Sequence, residues 1–182
     1  MSDQIYKHPG DVADAHSEAY YAVEELNAFV GTARAFAEAL TDRNGRIWPL
    51  VPFLLRVQHE LFNLGALLTS PPGKADDSHH GITSAHVARL EQEISSTNRE
   101  LKAVHSFVLS GSGVLNGALH QCRAVCRRAE RAAVSLACHQ PVSPEAVQYL
   151  NRLGDALFVW SRWVSHVCGE DETLWDPRHS AV

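Results

Sequence analysis

The most regular pattern in the 182-residue chain is Leu115-Asn-Gly-Ala-Leu-His-Gln-Cys-Arg-Ala-Val-Cys-Arg-Arg-Ala-Glu-Arg-Ala-Ala-Val-Ser-Leu136. Its apolar residues recur at alternating intervals of four and three, which places them on one face of an α-helix. These residues are Leu115, Leu119, Cys122, Cys126, Ala129, Ala133 and Leu136. Because so narrow a stripe has to be buried against other helices, the segment predicts one member of a helical bundle.

Four other segments carry the same spacing. They span residues 19–40, 50–68, 87–104 and 146–164. The third of these includes Leu101 and Val104 in its stripe, with Thr83 or Ser84 as its N-cap, and the last opens at the cap residue Ser143. No segment shows the sustained period-two alternation of a strand. The sequence therefore predicts an all-α fold, a five-helix bundle of up-and-down topology.

The composition limits both the class of protein and its partners. With 45% hydrophobic and 20% charged residues, residues 1–182 are expected to form a single globular domain. A net charge of −5 argues against a nucleic-acid partner, since phosphate binding needs a basic surface. No apolar run approaches the roughly 20 residues of a membrane span, and no secretory signal pattern is present, so we expect a cytoplasmic protein with no membrane partner. The four cysteines (Cys122, Cys126, Cys138 and Cys168) are interpreted as reduced core thiols.

Two stretches depart from the helical pattern. Residues 70–82 are polar and rich in proline and glycine, which predicts a mobile loop inside the domain, and residues 1–12 are expected to be flexible. The eleven histidines raise the question of a metal site, but His79 and His80 are the only local pair and no metal-binding motif is present. The sequence therefore predicts no metal site formed by the protein, and a Ser/His/Asp nucleophile is equally unsupported.

Arginines dominate one face of the most regular segment. Arg123, Arg127 and Glu130 follow one another at intervals of four and three, about 90° around the helix from the apolar stripe. A guanidinium offers a fixed fork of donors that matches phosphate oxygens, and it never deprotonates. The face is either a polyphosphate-binding surface or a solvated helix surface with weak ion pairs.

Two further segments carry polar or flexible residues. Phe107-Val-Leu-Ser-Gly-Ser-Gly113 leads into the arginine helix, where its glycines allow positive φ and close backbone approach, or serve only as a tight helix connection. In the fifth helical segment, Asn151 and Asp155 lie one turn apart. They either share a polar site or form hydrogen bonds within the bundle.

Taken together, these segments resemble the ATP:cob(I)alamin adenosyltransferases of the propanediol-utilisation type over residues 19–176. The strongest match is Leu119–Arg131, which is similar to the family's H-x-A-R-x-x-x-R-R-A-E-R. Four further family motifs are resembled, in the family's order, by residues Val23–Asn27, Val57–Gly65, Phe107–Gly113 and Tyr149–Phe158.

The resemblance implies a homotrimer of five-helix bundles with active sites between subunits. It implies transfer of the 5′-deoxyadenosyl group of ATP, bound with Mg²⁺, to the cobalt of cob(I)alamin, with release of triphosphate. Arg123 and Arg127 would contact the polyphosphate or ribose, with Glu130 and Asn151 also around the nucleotide. Asp155, one turn from Asn151, is a further candidate for ligand binding.

Two more residues receive roles from the resemblance. Glu24 stands where the family has an aspartate that pairs with the arginine at the Arg123 position, and we count it with the two arginines as catalytic. Phe107 matches the aromatic residue that occupies the lower face of the corrin, where it would keep the axial base away from cobalt.

The N-terminus departs from the family pattern. The family opens with Y-T-K-T-G-D-x-G-T-T, of which Ile5–Asp11 keeps only a trace, and Ser110 and Ser112 replace a proline and a glycine of the second loop. Because phosphate-cradling N–H and hydroxyl groups are missing, the sequence predicts weak ATP binding. Three functions stay open: a corrinoid adenosyltransferase; a non-catalytic relative that binds a corrinoid or similar tetrapyrrole as carrier, sensor or partner protein; and a helical oligomer with neither ligand.

Overall fold

The computed structural model describes residues 9–69 and 81–180, which form five α-helices and two short 3-10 helices. The α-helices are α1 (Pro9–Thr41), α2 (Leu50–Thr69), α3 (Ser84–Asn98), α4 (Val114–Ala137) and α5 (Pro144–Cys168). No β-strand occurs in these ranges; the only strand-like pairing there is one antiparallel bridge between Val108 and Leu174. The predicted all-α fold of five helices is confirmed.

The helices pack in an order that places α4 at the centre. α1 contacts α2 and α4, and α5 contacts α4 and α3. The links at residues 42–49 and 138–143 are short, so each makes its two helices antiparallel neighbours.

The apolar stripe of α4 is buried as its spacing predicted. Its seven residues are between 0% and 3% exposed. Four of them are cysteine or alanine, and these small side chains let α1 and α5 approach α4 closely. The arginine face is thereby held at a fixed rotation relative to both neighbouring helices.

The third helix is shorter than predicted. It ends at Asn98, so Leu101 and Val104 lie beyond it and the prediction that they continue its stripe was wrong. The reason is the run Ser95–Asn98, whose short polar side chains compete with helical backbone hydrogen bonds. At the other end Thr83 is the N-cap, and its backbone N–H donates to Nδ1 of His86 at 3.1 Å.

The cysteines differ in burial. Cys122 and Cys126 are fully buried, but Cys138 is exposed at the C-cap of α4, beyond the apolar stripe, so its interpretation as a core thiol was wrong. Cys168, at the end of α5, is half-buried. All four cysteines belong to the described ranges, and none of them forms a disulfide.

Parts of the two stretches expected to be mobile lie outside the described residues. These parts are residues 1–8 and 70–80, and α1 begins at Pro9. Within the described ranges, no helix combines the length and the apolar character that crossing a bilayer requires.

A buried polar cluster connects α2, α3 and α5. The hydroxyl of Tyr149 donates to Oε2 of Glu60 at 2.7 Å, and both residues are buried. Arg56 pairs with Glu60 at 3.4 Å and with Glu93 at 2.7 Å. Burial raises the pKa of the Tyr149 phenol well above its usual value, which keeps the phenol a hydrogen-bond donor.

Tyr149→Phe should destabilise the fold, because it leaves one oxygen of the buried Glu60 carboxylate without its donor. We expect a loss of about 1–3 kcal/mol in the free energy of unfolding, measured by urea denaturation. The control is Tyr21→Phe, since Tyr21 is 62% exposed and its hydroxyl should matter little. Equal effects of the two substitutions would show that the Tyr149–Glu60 hydrogen bond contributes no stability.

Candidate functional site

The centre of the candidate site is a polar cluster between α4 and α5. Nη1 of Arg127 lies 2.8 Å from Oε2 of Glu130, three residues later on the same helix. The other oxygen of Glu130 accepts a hydrogen bond of 2.8 Å from Nδ2 of Asn151 on α5. The side chain of Arg127 is 45% exposed, whereas that of Glu130 is 15% exposed. Glu130 therefore works as an internal anchor, and the remaining donors of Arg127 are open to a ligand.

A glycine on α5 makes room for the Arg127 side chain. A Cβ atom on Gly154 would lie 3.3 Å from Cδ of Arg127 and 4.0 Å from Sγ of Cys126. The aliphatic part of the arginine therefore crosses α5 where that helix has no side chain. This contact limits the directions in which the guanidinium can point.

Arg123 lies one turn before Arg127 and has a different neighbour. Its Cζ atom is 5.1 Å from the ring centroid of Phe158, which is a cation–π contact. The Phe158 ring also meets His120 edge to face at 6.1 Å. Arg123 itself is exposed, so the aromatic ring orients its cation without neutralising the charge.

Asp155 does not contact Asn151 directly. Instead, Arg152 bridges the two, donating to Oδ1 of Asn151 at 3.0 Å and pairing with Asp155 at 3.1 Å. Glu130, Asn151 and Arg152 also line a cavity of 470 Å³ between α3, α4 and α5. Arg152 was not predicted as a site residue from the sequence. Its position between the two candidates Asn151 and Asp155 could have indicated it.

Glu24 is exposed on α1, and no described contact joins it to Arg123. The acid of α1 that reaches α4 within the chain is the neighbouring Glu25, which pairs with Arg128. Glu24 instead lines a cavity of 340 Å³ between α1 and α2, together with Asn27 and the 71%-exposed Phe62.

Phe107 lies in the connection between α3 and α4, and no described contact joins it to the Arg127 cluster, which is formed by Arg127, Glu130 and Asn151. Its side chain is 77% exposed, and its ring meets Trp175 edge to face at 6.0 Å. Of the two glycines that follow, Gly111 has φ of 107°, as the sequence indicated. Gly113 has extended backbone instead, and the space beside it is filled by the carboxylate of Glu170.

Hydrogen bonds from the bundle hold this connection in place. The N–H of Gly111 donates to Oδ1 of the buried Asn116 at 2.9 Å. The hydroxyl of Ser112 lies 2.7 Å from that of Ser165. Ser112, which replaces a glycine of the family motif, is thus anchored to α5.

The buried thiols are not suited to nucleophilic chemistry. Burial raises the pKa of Cys122 to about 12, and it raises the pKa of Cys126 further. Both thiols are therefore protonated near neutral pH, and a protonated thiol is a poor nucleophile. Among the described residues, no group of three or more His, Cys, Asp or Glu side chains could hold a metal ion.

The geometry defines an all-α bundle with two exposed arginines on one face of its central helix, and comparison with known proteins identifies the family. The sequence model for cobalamin adenosyltransferases matches residues 11–164. The chain belongs to the cobalamin adenosyltransferase family.

Relatives match over most of the chain. A cobalamin adenosyltransferase from Cupriavidus metallidurans is 33% identical over 153 residues, covering 84% of this chain and 76% of the relative. A corrinoid adenosyltransferase from Mycobacterium tuberculosis is 35% identical over 169 residues, covering 90% and 81%. The bovine corrinoid adenosyltransferase MMAB is 35% identical over 161 residues, covering 87% of this chain; the match spans 64% of the bovine protein's length.

Solved structures share the fold. A phenylalanine-to-histidine variant of a PduO-type ATP:corrinoid adenosyltransferase from Lactobacillus reuteri, complexed with cobalamin and ATP, superposes with a TM-score of 0.78 at 28% identity, covering 91% of this chain and 86% of that one. An arginine-to-lysine variant from the same organism, complexed with ATP, also gives a TM-score of 0.78 at 28% identity, covering 89% and 87%.

The imidazole of His120 should make stability depend on pH. Burial lowers its pKa below the usual value, the positive charge of Arg123 lowers it further, and the negative charge of Glu172 acts in the opposite direction. Between the lowered folded-state pKa and the unfolded value of about 6.5, the unfolded chain binds more protons, so stability should fall as the pH drops through this window.

His120→Gln should remove this part of the pH dependence. The measurement is the free energy of unfolding in urea on both sides of the window, with the exposed His105→Gln as control. Identical pH profiles for wild type and His120→Gln would contradict the assignment.

Proposed function

We propose that the chain is a corrinoid adenosyltransferase that moves the 5′-deoxyadenosyl group of ATP to Co(I) of cob(I)alamin. The observation that carries the proposal is the Arg127–Glu130–Asn151 cluster, which offers a half-exposed guanidinium on a rigid support. Family membership supports it, as do the solved relatives complexed with cobalamin and ATP.

The reaction needs little covalent chemistry from the protein. The Co(I) electron pair attacks C5′ of the ribose, a Co–C bond forms, the C5′–O bond breaks, and the bonding pair leaves with triphosphate. Because Co(I) is itself a strong nucleophile, no side chain has to supply one. The work of the protein is to position C5′ in line with cobalt and to stabilise the leaving negative charge.

In this proposal Arg123 and Arg127 bind the polyphosphate or ribose oxygens. The contacts with Gly154 and Glu130 orient the Arg127 side chain, and the ring of Phe158 orients the Arg123 side chain. Both guanidinium groups are oriented before the ligand arrives, so little conformational entropy is lost on binding.

Asn151 and Asp155 complete the nucleotide surface. Asn151 anchors Glu130, and Arg152 links Asn151 to Asp155 along α5. Mg²⁺ enters as part of the nucleotide substrate, held by its phosphate oxygens.

We propose that the Phe107 side chain covers the lower face of the corrin. An aromatic side chain that is 77% exposed is suited to covering an apolar ligand face. In the solved Lactobacillus reuteri structures, the substituted phenylalanine and the substituted arginine lie twenty residues apart, which is also the separation of Phe107 from Arg127. This spacing supports the roles given to both residues.

We also propose that the active unit is a homotrimer with the site between subunits. Several large apolar side chains are at least 40% exposed: Tyr21, Phe36, Phe62 and Val114. Glu24 has no ion-pair partner among the described residues, and no described carboxylate pairs with Arg123. A Glu24–Arg123 ion pair between subunits would therefore give each of them a partner of opposite charge. The four thiols without disulfides support a cytoplasmic location.

The direct test of function is an anaerobic assay with ATP and chemically reduced cob(I)alamin. We expect loss of the Co(I) absorbance that depends on both ATP and protein. The reduced N-terminal motif supports the alternative, a non-catalytic corrinoid carrier, and binding of cob(I)alamin without ATP-dependent loss of that absorbance would establish it.

Arg127→Ala should impair nucleotide use more than corrinoid binding. One charge-assisted hydrogen bond to phosphate contributes about 1.5–3 kcal/mol, so kcat/KM for ATP should fall by about one to two orders of magnitude. Glu130 keeps its hydrogen bond from Asn151, so the fold should survive. The matched control is the substitution Arg89→Ala, because Arg89 is an exposed arginine on α3. An equal kcat/KM for ATP in the two variants would show that Arg127 is an ordinary surface residue with no role in nucleotide use.

The oligomeric state is a separate prediction. Light scattering at micromolar concentration should give a mass three times the 20.0 kDa of one chain. The mass of a single chain would contradict the site between subunits.

A further inference from the structure

The chain after α5 folds back onto the Phe107 segment, defined as residues 107–109. Gly169, with φ of 72°, ends α5 and reverses the chain. The C-terminal segment, residues 170–175, then pairs with the Phe107 segment. The N–H of Leu109 donates to the carbonyl of Thr173 at 2.8 Å, and the N–H of Trp175 donates to the carbonyl of Phe107 at 2.8 Å.

One buried arginine ties the C-terminal segment, and the stretch that precedes the Phe107 segment, to α5. Nε and Nη2 of Arg162 donate to the two carboxylate oxygens of Glu172 at 2.7 and 2.9 Å. Nη2 also donates to the backbone carbonyl of Lys102 at 2.9 Å, in the stretch that leads to Phe107. The Arg162 side chain is 8% exposed and that of Glu172 is 20% exposed, so water weakens this pair little.

The Phe107 segment has few other means of holding its position. Its pairing with the C-terminal segment is a single isolated bridge, and so short a ladder is not stable by itself. The Phe107 ring is exposed and meets Trp175 only at its edge, so burial does not fix it. Gly111 and Ser112 anchor the connection after this segment, but the position of Phe107 itself depends on its pairing with the C-terminal segment.

We propose that Arg162 and Glu172 are positioning residues for the corrinoid reaction, because their ion pair holds the C-terminal segment against the Phe107 segment. The inference rests on the proposed function, in which Phe107 covers the lower face of the corrin and excludes axial ligands. Without the ion pair, the two segments separate more often, and ordering Phe107 beneath the corrin costs conformational entropy on each binding event.

The test compares three variants. Glu172→Ala removes the ion pair but leaves Phe107 itself intact. Phe107→Ala shows how much of the four-coordinate Co(II) signal is lost when the aromatic ring itself is absent. Glu93→Ala is the matched control, because Glu93 accepts from Arg56 at 2.7 Å in a comparably buried pair on α2 and α3, away from the Phe107 segment.

Two measurements separate positioning from general stability. In the protein without ligands, hydrogen exchange of the Leu109 and Trp175 amides should be about tenfold faster or more in Glu172→Ala than in wild type, and unchanged in Glu93→Ala. With cob(II)alamin and saturating ATP, the four-coordinate Co(II) signal in magnetic circular dichroism should fall in Glu172→Ala towards that of Phe107→Ala. ATP affinity should stay within about twofold, because no described contact joins the ion pair to the Arg127 cluster.

The outcomes distinguish the inference from the function on which it rests. A strong four-coordinate signal in wild type that Glu172→Ala leaves unchanged would overturn the inference alone. Absence of corrinoid binding in wild type would overturn the proposed function and the inference with it. If Glu172→Ala does not fold, Glu172→Gln takes its place, because glutamine keeps the side-chain shape and one hydrogen-bond acceptor. This variant should lose part of the four-coordinate signal. No loss in a folded Glu172→Gln would overturn the inference.

Discussion

The contact between Arg127 and Gly154 joins the core of the protein to its proposed chemistry. Because α5 carries no side chain at position 154, the stem of Arg127 lies across α5 beside the buried Cys126. The guanidinium is then placed next to Glu130, which Asn151 holds from α5. The geometry of the arginine face follows from the same packing that buries the stripe of α4. A larger residue at position 154 would disturb both.

This arrangement suits a reaction whose nucleophile comes with the substrate. The buried thiols stay protonated, and the residues around Arg127 offer hydrogen bonds and charge in place of a nucleophile. A triphosphate leaving group develops negative charge as the C5′–O bond breaks, and oriented guanidinium groups stabilise that charge without rearranging. Phe107, the residue proposed to lie against the corrin, is exposed, which fits a surface that excludes ligands from cobalt.

Patterns that repeat along one helix were predictable from the sequence, and contacts between distant segments were not. The burial of the α4 stripe followed from its spacing, and the start of α5 followed from Ser143 and Pro144. The early end of α3 was missed because apolar residues happen to continue its spacing beyond Asn98. The pairing of Arg162 with Glu172 depends on the chain reversal after α5, so it leaves no periodic signal in the sequence.

In the proposed reaction the arginine face of α4 stabilises an intact triphosphate leaving group. ³¹P NMR of the products of an anaerobic reaction with ATP and cob(I)alamin tests it most directly. We expect triphosphate in an amount equal to the adenosylcobalamin formed. Pyrophosphate with orthophosphate in place of triphosphate, or unchanged ATP beside unreacted cob(I)alamin, would contradict it.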